Sequence, residues 1–151
     1  MADLNVSVPT GEISFAAATA KTALTMTAPT NQRLKLLGFE VYGKSASPTD
    51  TPCKCEFYRI TTDGGTATTL TPAPNDDDEA ETPQGVYKAA YTVEPTTLGL
   101  LLRTFEVHPQ TGLIYMFPVG QELRVKGGKE LGLRITCPAA QTFCVNFIVE
   151  E

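Results

Sequence analysis

Histidine occurs once in this chain, at position 108, and tryptophan not at all. A single imidazole excludes hydrolases that hold a metal with several histidines. It also leaves His108 as the base of any Ser-His-Asp or Cys-His mechanism. His108 stands beside Pro109 in the turn signal His108-Pro109-Gln110-Thr111-Gly112, which makes it a turn or packing residue. No Gly-x-Ser-x-Gly elbow, phosphate-binding loop or Gly-x-Gly-x-x-Gly run occurs. The apolar runs fall far short of the roughly 20 residues that a helical membrane span needs. Residues 1–10 lack the basic segment and apolar block of a secretory signal. The expectation is a protein made and kept in a cytoplasm, or released by a route other than secretion.

An excess of positive charge is also missing. The chain of 151 residues has 12 Lys plus Arg against 17 Asp plus Glu. Asp76, Asp77, Asp78, Glu79 and Glu81 by themselves account for the net charge of −5. A neutral body with one acidic loop has no basic stripe for nucleic acid and no attraction to an anionic membrane, so neither is an expected partner. Three readings stay open for the loop: a solvated surface, a contact to a basic partner, or a cation site using Asp76, Asp77, Asp78 and Glu79. The cluster lacks the spaced D-x-D-x-D-G pattern of an EF-hand. Nor does it suit a glycosidase, whose paired carboxylates need fixed and different environments to separate their pKa values. The chain is therefore expected not to be an enzyme and to need no cofactor.

Cys53, Cys55, Cys137 and Cys144 could form two disulfides in three pairings. Without a secretory signal, reduced and mostly buried thiols are expected. The spacing C-x-C followed by C-x6-C differs from the C-x2-C pairs of zinc ribbons.

What the sequence does have is alternation. Leu131, Leu133, Ile135 and Cys137 interleave with Gly132, Arg134 and Thr136, and Phe143, Val145, Phe147 and Val149 with Cys144, Asn146, Ile148 and Glu150. Such a period of two places one set in a core and the other away from it. Cys53, Cys55 and Phe57 form a third set. Between residues 33 and 42 the phase slips from Leu34 and Leu36 to Phe39 and Val41, and a bulge near Leu37-Gly38 would absorb the slip. Further strands are predicted over 12–17, 22–28, 86–93, 98–107, 113–117 and 122–125, with a weaker one over 66–70. Asp63-Gly64-Gly65 predicts a tight hairpin into that weaker strand. No helical stripe occurs. Residues 71–84, rich in proline and acid, predict an exposed loop.

Short strands punctuated by turns predict a single all-β domain over 12–151, an antiparallel jelly-roll-like sandwich or barrel. Residues 1–11 form a candidate arm that reaches a neighbouring chain. The runs Leu98-Gly99-Leu100-Leu101-Leu102 and Ile114-Tyr115-Met116-Phe117 are apolar on both sides. Strands of that kind lie in the middle of a sandwich or under another subunit. Candidate interface residues are Leu4, Val6, Val8, Tyr115 and Phe117.

Several runs carry a resemblance: Ala28-Pro29-Thr30-Asn31-Gln32-Arg33, Glu106-Val107-His108-Pro109-Gln110-Thr111-Gly112, Phe117-Pro118-Val119-Gly120-Gln121-Glu122, Gly127-Gly128, Leu131-Gly132-Leu133-Arg134 and Cys137-Pro138-Ala139-Ala140. With these the chain resembles the capsid decoration, or cement, proteins of tailed bacteriophages that have a β-tulip or jelly-roll domain. The resemblance implies a homotrimer on the outer capsid surface, made in the host cytoplasm, which staples neighbouring major capsid protein subunits. An extended N-terminal arm would take part. It implies no catalytic residue. An alternative is a carbohydrate- or cell-surface-binding module of a phage head fibre or tail, for which Tyr42, Tyr58, Tyr87, Tyr91 and Tyr115 are the available aromatics.

Overall fold

The computed structural model describes residues 4–44, 50–76 and 81–151. Among them are twelve strands and no helix: β1 Asn5–Phe15, β2 Lys21–Thr27, β3 Leu34–Gly43, β4 Cys53–Thr62, β5 Thr66–Leu70, β6 Ala73–Pro74, β7 Val86–Val93, β8 Thr97–Val107, β9 Leu113–Met116, β10 Leu123–Val125, β11 Glu130–Thr136 and β12 Gln141–Glu150. The strands pair antiparallel in two sheets. One runs β10-β3-β12-β1-β6, with β9 also on β3; the other runs β5-β7-β2-β11-β4-β8. The sheets pack face to face and do not close, so the all-β expectation resolves as a sandwich and not a barrel.

Alternation accounts for the core. Along β12, Phe143, Val145, Phe147 and Val149 are buried, and along β11 so are Leu131, Leu133 and Ile135. Where the sheets meet, the Phe57 ring packs against Phe39 (4.9 Å between centroids), Phe147 (6.0 Å), Phe105 (6.1 Å) and Phe117 (6.3 Å). The predicted bulge is present. Ile148 pairs with Gly38 and Val149 with Leu36, so Leu37 is the extra residue that resets the phase of β3.

Two expectations change. Asp63-Gly64-Gly65 does not close a hairpin, because β5 pairs with β7 at the far edge of its sheet while β4 pairs with β11 and β8. Both edges of β4 are taken, so long-range pairing overrides the local turn signal. The Asp63 carbonyl instead accepts a hydrogen bond from the Thr96 amide at 2.8 Å. The segment read as an arm is, from Asn5 onward, a strand of the chain's own sheet, and β1 begins seven residues before its predicted start at Glu12. Its register on β12 sets Val6 against Val149 and Val8 against Phe147, and both valines are fully buried. Burying a valine contributes about 1.5–3 kcal/mol, which draws this segment into the core. The short β6, inside the predicted loop, pairs with Val6 and Ser7.

Candidate functional site

The residues singled out for chemistry stay apart. In the turn after β8, His108 Nδ1 accepts the Gln110 amide at 3.2 Å, and Nε2 lies 4.0 Å from the exposed Asp50 carboxylate. The imidazole thus holds its turn. Asp76 is exposed, while Asp77, Asp78 and Glu79 lie outside the described residues. The acidic loop is tied down at both roots. At one, the Asn75 amide donates to the Asn5 carbonyl at 2.9 Å. At the other, the Glu151 carboxylate accepts from the Gln84 amide at 2.6 Å, the Gly85 amide at 3.1 Å and the Tyr87 hydroxyl at 2.7 Å. Burial, then the hydrogen bond and charge of Glu151, push the Tyr87 phenol above its ordinary range. Among the described residues, no group of three or more His, Cys, Asp or Glu side chains is placed to hold a metal.

All four cysteines are free thiols, and Cys53, Cys55 and Cys137 are buried. Burial raises the pKa of each of these three, and Cys53 and Cys137 share a hydrogen bond. A buried thiol with a raised pKa is a core residue and a poor nucleophile.

The candidate interface residues divide. Leu4, Val6, Val8 and Phe117 are buried in the chain's own core and offer no free surface; Tyr115 is half-buried against Phe105, with ring centroids 4.9 Å apart. The exposed apolar surface belongs to their neighbours. Among the described residues β8 is the outermost strand of its sheet and pairs only with β4. On it Leu100 is 70% and Leu101 43% exposed, while Leu102 and Phe105 pack inward. On β9, Ile114 (61%) and Met116 (52%) face outward while Leu113 and Tyr115 pack on the core. Val119, in the turn that follows, is almost wholly exposed. The contact of Phe105 with Tyr115 brings β8 beside β9, and Arg59 of the neighbouring β4 reaches the backbone of Arg124 on β10.

The run from Leu98 to Leu102 is therefore apolar on both sides without lying in the middle of its sheet. Its outer edge has no strand partner among the described residues, and β8 contains no proline. Alternation identifies the strand, but its edge position depends on pairing with β4, some forty residues away in the chain. Of the five tyrosines, Tyr87 and Tyr91 are buried and Tyr42 is the exposed one. Comparison with protein-family models, with curated proteins and with solved structures finds no match.

Proposed function

We propose that this chain is a structural protein of a tailed-phage virion, a decoration protein that stabilises the head by bridging major capsid subunits through its β8–β9 margin. The observation that supports this most directly is β8, a strand of eleven residues at the open edge of its sheet with Leu100 and Leu101 exposed. Soluble proteins usually protect such an edge with charge, proline, a bulge or a covering segment; β8 has irregular pairing opposite Phe57 to Thr62 and the exposed charges Arg103 and Glu106, yet still leaves Leu100 and Leu101 exposed. Here a second polypeptide would cover it, pairing with the free backbone and burying the leucines. The resemblance in the turn segments names the setting, and a non-catalytic sandwich suffices for the task, because many copies acting together turn weak contacts into high avidity. The sugar-binding alternative has less to work with, since Tyr42 is the exposed tyrosine.

Light scattering on a size-exclusion column gives the solution mass, and co-sedimentation with assembled capsid shells gives binding. A trimer, near three times 16.2 kDa, that pellets with shells but not with free capsid subunits is the expected result. Replacing Leu100 and Leu101 together by lysine should abolish pelleting and leave the thermal midpoint nearly unchanged. A stable monomer that ignores shells would sink the reading.

A further inference from the structure

Cations far apart in the sequence meet at one end of the sandwich. Arg59 of β4, Arg124 of β10, and Lys126 and Lys129 of the turn into β11 line a cleft of about 400 Å³, together with Thr27, Thr61 and Glu130. Arg33 adds a fifth cation through an adjoining hollow of about 190 Å³ that shares Lys126. These five are a large part of the chain's 12 Lys plus Arg, so this end is basic although the whole is acidic. They are scarcely neutralised. Arg124 reaches the Glu122 carboxylate at 3.5 Å. Arg59 donates to the backbone carbonyl of Arg124 at 2.7 Å. Among the described residues, no carboxylate pairs with Arg33, Arg59, Lys126 or Lys129.

The backbone holds the cleft in shape. The Gly128 amide donates to the Ala28 carbonyl at 3.0 Å, and the Ala28 amide to the Lys129 carbonyl at 3.0 Å. A Cβ on Gly127 would lie 2.5 Å from the Thr30 carbonyl oxygen, so the lysine turn packs directly on the turn at Pro29-Thr30. Glu130, more than nine-tenths buried, stands beneath the cleft, with its Oε1 closed off from solvent and without a hydrogen-bond partner among the described residues.

We propose that this cleft binds a short acidic segment of a partner polypeptide. Asp or Glu side chains would answer the unpaired cations, with the arginine forks suited to carboxylates. The volume suits a few side chains, as in ordinary ligand clefts. Acids elsewhere on the molecule repel a long polyanion, which favours a short segment over a nucleic acid. The cleft adjoins the β8 edge, since Ile60 in its lining pairs with Leu98, but the argument from charge does not depend on the virion reading.

The test is fluorescence anisotropy of the full chain with a labelled hexapeptide of alternating Asp and Glu. Saturable binding should weaken about ten-fold between about 50 mM and 300 mM salt. Exposed Lys126 and Lys129 can be changed without touching the core, and Lys126→Gln with Lys129→Gln should weaken binding by about ten-fold at an unchanged β-sheet circular dichroism spectrum. Lys44→Gln with Lys54→Gln, which removes as much charge elsewhere, should leave binding as it was. No saturable binding, an equal loss in the two double variants, or stronger competition by inorganic phosphate or single-stranded DNA than by unlabelled peptide would overturn the proposal.

Discussion

Glu130 is the carboxylate side chain that the fold buries most completely among the described residues. Burial raises its pKa, the charge of Asp63 adds to this, and hydrogen bonds from Thr25 and Thr27 together with the charge of Lys88 oppose it. The folded protein therefore holds a proton at Glu130 at a pH where the unfolded chain has released it. The contribution of Glu130 to stability is fully present below the ordinary carboxylate range and is lost as pH rises through the raised value. Glu130→Gln should flatten that decline and raise the urea midpoint at neutral pH relative to the parent. Midpoints measured from pH 4 to pH 8 would show it, and parallel profiles for the two proteins would refute it. This behaviour was not legible in the sequence. Glu130 is there one of seventeen acids, and its burial follows from its place between Thr27 of β2 and Ile60 of β4.

At the scale of the element, β3 shows how far local pattern reaches. Its change of phase at Leu37 and the glycine beside it announced the bulge, because a strand's faces are set by a period of two and any slip needs an extra residue. What the pattern did not announce is the reason for Gly38. A Cβ there would lie 2.8 Å from the Tyr115 carbonyl oxygen and closer still to the Met116 sulfur, so β9 can pair with β3 only over a bare backbone. Gly38→Ala should cost about 1–3 kcal/mol by overpacking, read as a lower denaturant midpoint at an unchanged slope. Adding Met116→Ala should restore only part of it, since the flexible side chain is removed and the carbonyl remains. Full recovery would place the strain in the side chain alone. The predicted hairpin at Asp63-Gly64-Gly65 marks the opposite limit. A turn signal describes four residues, whereas the partner of β5 is chosen by the whole sheet.

For the whole molecule, stability and proposed function occupy different layers. Phe57 sits where the two sheets meet, in contact with rings from both, and Phe57→Ala should cost about 3–5 kcal/mol in a denaturant titration. Leu100→Ala on the open edge should change stability by no more than about 0.5 kcal/mol, because that side chain is mostly exposed. Comparable losses at the two sites would mean that the margin belongs to the core.

The sequence by itself determined the all-β class, most strand positions and the core faces of β3, β4, β11 and β12. Alternation is a property of neighbouring residues, and burial obeys it directly. Only the tertiary structure decided that residues 5–11 complete a sheet, that the apolar β8 lies at an edge, and that Arg33, Arg59, Arg124, Lys126 and Lys129 share one end of the molecule. Each of these depends on pairing between segments far apart in the chain, where charge and hydrophobicity counted along the sequence carry no information about who becomes whose neighbour.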